Sequence, residues 1–324
     1  MLLLLLLAVL SLTACNRRRG RVLEINYVSA PQVNLRDRVA VVYNKAGLVK
    51  NGERVEVLDR DRTFVKVRSA GGAEGWMEKR YLVSEKVFNQ IQKLTQDNQN
   101  DPAQGQGTTR VGTNLHVEPG RDADHLYQLA SGEKVLLLKR STAEKPGSAA
   151  APARATSKPG ENKPPTPVIE DWWLVRDSQS RVGWVLARMV DLDVPLEVAQ
   201  YAEGQRIVAF FLLDEVQDAD KKIPQYLTIL TEPRDGLPFD FNQIRVFTWN
   251  VKRHRYETAY RERSPGVLPV TVAQENFEKE GTLPTFTIRV QEKDGSISER
   301  KYKLNTPIVR RVLAPGEVAQ KNRR

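Results

Sequence analysis

Few side chains in this sequence could perform nucleophilic or metal-dependent chemistry. The 324 residues include three histidines, His116, His125 and His254, and one cysteine, Cys15. No histidine pair has the spacing of a zinc-protease helix, no Gly-x-Ser-x-Gly turn occurs, and no glycine-rich phosphate loop follows a strand-like run. The sequence therefore predicts no metal site and no cofactor, and it favours a protein without catalytic activity.

The densest carboxylate cluster follows an apolar run in the last third of the chain. Asp214, Glu215, Asp218 and Asp220 could act as a glycosidase pair or bind Ca²⁺, because both tasks use carboxylate oxygens. The spacing of a calcium loop is absent, so we favour a solvated acidic loop. A hydrolase site formed by this loop and His254 stays open as an alternative.

The first 15 residues have the pattern of a bacterial lipoprotein leader. The apolar stretch 2–14 is shorter than the about 20 residues that cross a bilayer, and it is typical of a secretory signal peptide. Its end, Leu12-Thr13-Ala14-Cys15, resembles the lipobox, in which small residues precede the lipidated cysteine. The resemblance implies a signal peptide over 1–14 and lipidation of Cys15. A buried free thiol is the alternative.

The residues around this leader bear on where the protein resides. No Lys or Arg precedes the apolar stretch, and Arg17–Arg19 follow it, which by the positive-inside rule favours a cytoplasmic position for that end. The same arginines could instead lie near anionic head groups. Asn16 after the cysteine resembles the outer-membrane lipoproteins of Gram-negative cells. We therefore expect a lipid-anchored, periplasm-facing protein of the cell envelope.

The composition is that of a soluble basic protein with two or three domains. Its net charge is +10, from 50 basic and 40 acidic residues. The two signs are interleaved along the chain, which favours a solvated basic surface. If the protein is exported, nucleic acid is not an expected partner, and anionic envelope polymers or lipids are better candidates.

Two segments of the chain repeat one pattern. The first copy covers about 27–83 and the second about 112–191. In both, an asparagine precedes a glycine by 18 positions, and an arginine precedes a Gly-Trp pair by 7 positions. The matching positions are Asn34 and Asn114, Gly52 and Gly132, Phe64–Arg68 and Trp172–Arg176, and Gly75-Trp76 and Gly183-Trp184. Both segments show the apolar and polar alternation of β-strands, and the turn glycines favour positive φ.

Only the gap between the turn glycine and the aromatic strand differs, 12 positions in the first copy and 40 in the second. The additional residues lie within 141–169, which are rich in Pro, Ala and Lys and have no apolar periodicity. Such a segment cannot bury enough apolar surface to offset its ordering entropy. We predict a disordered insertion within the second copy.

The repeated pattern resembles the bacterial SH3-like domain, which has an Asn-hydrophobic-Arg segment, a glycine-glutamate turn, an aromatic strand and a Gly-Trp strand. The first copy departs from the pattern with Phe64 in place of Trp, and the second with His116 in place of Arg. The resemblance implies two small barrels that bind peptidoglycan peptides or other peptides in an aromatic groove, without catalysis.

Four aromatic residues are the candidates for such a groove: Trp76, Tyr81, Trp172 and Trp184. Each could instead be a core residue of its barrel. Trp172 and Trp173 are adjacent on one strand and face opposite sides. We therefore expect one of them in the core and the other partly exposed.

The remaining segments are connectors and a third β-rich region. Helical spacing of apolar residues predicts a helix over 84–98, followed by a polar linker over 99–109. A short helix is expected over 195–202. Beyond it, strand-like runs and an Asp294-Gly295 hairpin signal predict an antiparallel meander or sandwich. The fold class is mainly β.

These patterns divide the chain into an anchored leader and three folded regions. The predicted boundaries are 1–14 for the signal peptide, 15–24 for the anchor segment, 25–83 and 110–194 for the two SH3-like domains, 84–109 for the helix and linker, and 195–324 for the C-terminal domain. The favoured function is a non-catalytic, lipid-anchored envelope protein that binds peptidoglycan peptides or a protein partner. A structural subunit of an envelope assembly is the alternative.

Overall fold

The computed structural model describes residues 21–148 and 167–313. These residues form three antiparallel sheets of seven strands each, so the predicted mainly β fold is confirmed. The chain divides into two compact units, one of residues up to Gln90 with Asp124–Gln128, the other of Ile91–Ala123 with Leu129 onward. The leader, Cys15 and the anchor residues before Arg21 lie outside the described residues.

The first sheet is built from short strands whose alternate residues are buried. Its strands are β1 (Glu24–Val28), β2 (Gln32–Arg36), β3 (Lys45–Lys50), β4 (Arg54–Asp61), β5 (Phe64–Ser69), β6 (Glu74–Glu78) and β7 (Leu82–Ser84), in the order β3-β2-β6-β5-β4-β1-β7. Val55, Val57, Val65 and Val67 alternate inward and form its core. Gly52 has a φ of 76° in the turn before β4, as the sequence predicts.

The second sheet repeats the first. Its strands are β8 (Gly105–Thr109), β9 (Thr113–His116), β10 (His125–Leu129), β11 (Lys134–Glu144), β12 (Ile169–Asp177), β13 (Val182–Leu186) and β14 (Val190–Leu192). Six of them run in the order β9-β13-β12-β11-β8-β14, the order of β2-β6-β5-β4-β1-β7 in the first sheet. The register agrees too, since Lys66 lies opposite Trp76 and Leu174 opposite Trp184. Both sheets have a bulge at the same place, after Val57 and after Leu137.

The prediction of disorder over 141–169 was wrong at both ends of this segment. Ser141–Glu144 complete β11 and pair with Ile169–Trp172 of β12. These residues are ordered because the β11–β12 ladder satisfies their backbone groups. Residues 149–166 lie outside the described part of the chain.

Helix α1 (Glu85–Asp97) confirms the helix predicted over 84–98. Within the first unit, Phe88 stacks on Tyr27 with 3.9 Å between the ring centroids. Within the second unit, Leu94 packs against Leu138, Leu174 and Val182 of the second sheet. The apolar stripe seen in the sequence is therefore a packing face. No helix among the described residues is long and apolar enough to cross a membrane.

The third sheet is the predicted meander. Its strands follow one another in the order of the sequence: β15 (Arg206–Asp218), β16 (Lys221–Thr231), β17 (Phe241–Asn250), β18 (Arg255–Phe277), β19 (Gly281–Gln291), β20 (Ile297–Asn305) and β21 (Ile308–Val312). Helix α2 (Leu196–Ala199) precedes them and is shorter than predicted. The prediction of an acidic loop was wrong for three of its four residues. Asp214, Glu215 and Asp218 belong to β15, and only Asp220 lies in the turn that follows this strand.

A buried ion network joins the second and third sheets. The Arg140 Nη2 atom donates to Asp171 at 2.6 Å, and its Nη1 atom donates to Asp240 at 3.2 Å. Asp171 also accepts hydrogen bonds from Arg206 and from the backbone N–H of Gly236. The side chains of Arg140 and Asp171 are 5% and 4% exposed. Buried charges are tolerated only with such complete pairing, so the network fixes one sheet on the other.

Candidate functional site

A concave surface on the first sheet brings charged and aromatic side chains together. It lies beside β2, the loop over residues 37–44 and a 3₁₀ turn at Lys79–Tyr81, and its volume is about 360 Å³. Its charged and aromatic lining residues are Arg36, Tyr43, Glu78 and Tyr81. We call this surface the Arg36 groove.

Strand β2 places Arg36 on the outer face of the sheet because its neighbour Leu35 points into the core. The Arg36 guanidinium lies 4.3 Å from the ring centroid of Tyr43 and 5.1 Å from that of Phe64. The Nη2 atom is 4.0 Å from a carboxylate oxygen of Glu78. Stacking on rings orients a guanidinium while leaving its N–H groups available, so Arg36 can bind a carboxylate of a ligand.

The loop that carries Tyr43 is held closed by Asp37. The carboxylate of Asp37 accepts hydrogen bonds from the backbone N–H of Asn44 at 2.9 Å and from the Asn44 side chain at 3.1 Å. The hydrogen bond from Arg38, followed by that of the Asn44 backbone, lowers the pKa of Asp37 to about 2. Asp37 is therefore ionised at neutral pH, and it fixes the loop and with it the Tyr43 ring.

The one carboxylate that lines the Arg36 groove is held by arginines. Glu78 contacts Arg80 at 2.8 Å through one oxygen and lies 4.0 Å from Arg36 through the other. Arg80 also donates a hydrogen bond to the Tyr81 hydroxyl at 2.8 Å. The groove thus presents a net positive charge beside two tyrosine rings, an arrangement that can bind the carboxylate of a short peptide.

Two of the residues predicted from sequence lie on the first sheet. Tyr81 lines the Arg36 groove. Trp76 is half-buried on the neighbouring strand β6, opposite Arg36 on one side and Lys66 on the other. It therefore lies on the same outer face as Arg36, beside the groove.

Comparison with protein families identifies the segment that builds this groove. Residues 31–83 match the family model of the bacterial SH3 domain. This segment is a bacterial SH3 domain. It contains Arg36, Tyr43, Glu78 and Tyr81, so the whole charged and aromatic lining of the Arg36 groove belongs to it.

No curated protein matches the whole chain. Among solved structures, an NlpC/P60 family protein from Bacillus cereus is 10% identical, with 88% of this chain and 95% of that one covered, at a TM-score of 0.24. NlpC2 from Trichomonas vaginalis is 9% identical, with 89% and 95% covered, at a TM-score of 0.18.

The second sheet carries different residues at the positions that form the Arg36 groove in the SH3 domain. His116 stands where the SH3 domain has Arg36, and Trp172 stands where it has Phe64. Leu186 and Met189 stand at the positions of Glu78 and Tyr81. The charged pair of the groove is therefore absent from the second sheet.

The expectation that one of two adjacent tryptophans is partly exposed was wrong. Trp172 is 2% exposed and Trp173 is 8% exposed. Trp172 lies against His116 on the outer face of β12, with ring centroids 5.3 Å apart. Trp184 is half-buried on the same face, and both it and Leu94 pack against the cluster of Leu138, Leu174 and Val182. Both faces of the strand are covered, so Trp172 offers a ligand no free ring surface.

Sequence reasoning missed three of the four charged and aromatic groove residues. Arg36 could have been found, since it is the arginine of the family pattern. Glu78 is the last residue of the Gly-Trp strand but belongs to no motif. Tyr43 lies in a loop without periodicity, and only the fold brings it to Arg36.

Two residues of the alternative hydrolase site, His254 and Asp218, are in contact. The Nδ1 atom of His254 is 2.7 Å from the Asp218 carboxylate, which also accepts a hydrogen bond from the Trp249 indole at 2.6 Å. The Trp249 hydrogen bond, followed by that of His254, lowers the pKa of Asp218. The His254 side chain is 69% exposed, in the turn between β17 and β18. Among the described residues, no group of His, Cys, Asp and Glu is arranged to hold a metal ion.

Proposed function

We propose that this protein is a non-catalytic binding protein of the cell envelope whose SH3 domain binds the short peptides of peptidoglycan. The observation that carries the proposal is the Arg36 groove. Arg36, which stacks on Tyr43 and Phe64, can bind the carboxylate of a peptide ligand, and the rings of Tyr43 and Tyr81 can contact the rest of the peptide.

The second sheet has a different part in this proposal. Its strand order and register are those of the first sheet, but its outer face, which carries Leu174, packs against Leu94. The ion pair of Arg140 with Asp171 joins it to the third sheet, so we infer that it supports the C-terminal region. Binding is therefore assigned to the SH3 domain alone.

The membrane anchor rests on the leader sequence. Lipidation of Cys15 would hold the SH3 domain at the membrane surface and raise its effective concentration at the wall. Labelling of cells with a radioactive fatty acid tests this step. We expect the label on the parent protein and none on a Cys15→Ala variant. A labelled variant, or an unlabelled parent, would contradict the anchor.

Binding is tested by sedimentation of the chain from Asn16 onward with insoluble peptidoglycan. The groove variant carries Arg36→Gln and Tyr43→Ala, which remove the cation and one of the rings that orient it. The control is Arg60→Gln, an exposed arginine on β4 of the same sheet whose side chain is 54% exposed. We expect the parent and the control to sediment with the wall and the folded groove variant to stay in solution.

Two other outcomes would contradict this proposal. A parent that stays in solution, but captures a protein from an envelope lysate through the same groove, would make the protein an assembly subunit. Release of soluble fragments from the peptidoglycan would make it a hydrolase. Replacement of His254 and Asp218 by alanine would then show whether the His254–Asp218 pair is responsible.

A further inference from the structure

The third sheet contains a second concave surface, which is unrelated to the Arg36 groove. It lies where β18, β20 and β21 come together, and its volume is about 670 Å³. Its charged lining residues are Arg261, Glu262, Arg263, Arg300, Arg310 and Arg311. We call it the arginine cavity, because five arginines and one glutamate line it.

The floor of the arginine cavity is a fixed hydrogen-bond network. Glu262 accepts hydrogen bonds from Tyr260 at 2.7 Å, Tyr302 at 2.6 Å and Arg300 at 2.8 Å. Burial acts to raise the pKa of Glu262, but these partners outweigh it and lower the pKa. The single acid of the cavity is thus ionised and fully occupied by its neighbours, so it does not repel an anion as a free carboxylate would.

The rim of the cavity keeps uncompensated positive charge. Arg263 and Arg310 are both exposed. Arg263 Nε donates to the neutral side-chain oxygen of Gln243 at 3.3 Å. Within the described ranges, neither Arg263 nor Arg310 forms an ion pair with an acidic side chain, unlike Arg261, which contacts Glu203 at 3.3 Å.

We propose that the arginine cavity binds a linear polymer that carries phosphate groups. Its cations are all arginines, whose planar guanidinium groups match the oxygen geometry of phosphate in two parallel hydrogen bonds. The surface is concave, so a single extended chain can enter it and meet several guanidinium groups, whereas a flat bilayer would reach only the rim. This site is independent of peptide binding by the SH3 domain.

The test is binding of the purified full chain to linear inorganic polyphosphate over a range of salt concentrations. One variant carries Arg263→Gln and Arg310→Gln. The matched control carries Arg253→Gln and Arg255→Gln, which remove the same charge from exposed positions at the turn between β17 and β18. All four arginines replaced in these two variants are exposed. If the cavity double variant is unstable, a single Arg310→Glu variant tests the same site.

We expect the parent to bind and to weaken as salt rises, because charge contacts are screened. The cavity variant should lose affinity about tenfold or more, since hydrogen bonds to charged groups contribute at least that factor. The control should change much less. No binding by the parent, or equal losses in both double variants, would overturn the site. Tighter binding to vesicles of phosphatidylglycerol, lost in the same cavity variant, would overturn the polymer in favour of a membrane surface.

Discussion

The first and second sheets share strand order and register, and they differ in what their outer faces contact. On the first sheet this face carries Lys66, Trp76 and the Arg36 groove, and it is partly open. On the second sheet the corresponding residue of Lys66 is Leu174, which is 1% exposed under Leu94. One strand arrangement thus leaves this face partly open in one copy and covers it in the other.

A second pair of positions differs in the same way. Arg60 lies opposite Val65 on the first sheet, and Arg140 lies opposite Trp173 on the second. The Arg60 side chain is largely exposed and forms an ion pair with Glu24 at 2.9 Å. Arg140 is buried in the network with Asp171. The comparison shows that the role of a repeated position depends on its partners outside the repeat.

The largest effect on stability is expected from replacing the two corresponding arginines, Arg140 and Arg60. Arg140→Gln removes the buried cation of the ion network and leaves Asp171 with the longer, 3.4 Å ion pair to Arg206, so we expect the free energy of unfolding of the second unit to fall by about 3–5 kcal/mol. Arg60→Gln removes an exposed pair and should cost about 0–1 kcal/mol. Urea unfolding of both variants measures the difference. Similar losses would mean that the two positions are equivalent after all.

A smaller effect on stability is expected when the corresponding outer-face residues Leu174 and Lys66 are exchanged between the two sheets. Leu174→Lys places a charge under Leu94 and removes buried apolar area, so it should destabilise the second unit by about 3 kcal/mol. Lys66→Leu on the first sheet should change stability by about 0.5 kcal/mol or less, because that site is half-exposed. Thermal unfolding compares the two. A neutral Leu174→Lys variant would show that the second face is open.

The smallest effect concerns the loop over 37–44. Because the folded pKa of Asp37 is lowered from 3.8 to about 2, Asp37 stabilises the closed loop above pH 3.8, and this contribution is lost as pH falls through about 2. The second copy has Val117 at this position, so it has no such titration. The amide chemical shift of Asn44, followed by NMR, should titrate with a midpoint near 2. A midpoint near 3.8 would show that the loop is open in solution.

Much of the fold could be predicted because it depends on local patterns. Alternating valines and turn glycines predict the strands of each copy, and equal spacings predict the repeat itself. The exposure of the tryptophans could not be predicted in this way. Strand alternation separates Trp172 from Trp173, yet the face that carries Trp172 packs with Leu94, which is distant in sequence. The contact of Arg140 with Asp240 could not be predicted either, because these residues are also distant in sequence.

The sequence predicts an aromatic groove, but not the charged residues that line the Arg36 groove. The family pattern points to aromatic residues, and of the four candidates only Tyr81 lines it. Its charged residues, Arg36 and Glu78, become a pair only through the pairing of β2 with β6. Residue types that are unremarkable one by one therefore form the site together.

Peptide binding by the first copy is tested most directly by an NMR titration of the isotope-labelled chain from Asn16 onward with a soluble wall peptide. We expect the resonances of Arg36, Tyr43, Glu78 and Tyr81 to move with increasing peptide. Those of His116, Leu186 and Met189, which stand at the positions of Arg36, Glu78 and Tyr81, should stay in place. Shifts confined to the second sheet, or no shifts at all, would contradict the assignment of peptide binding to the first copy.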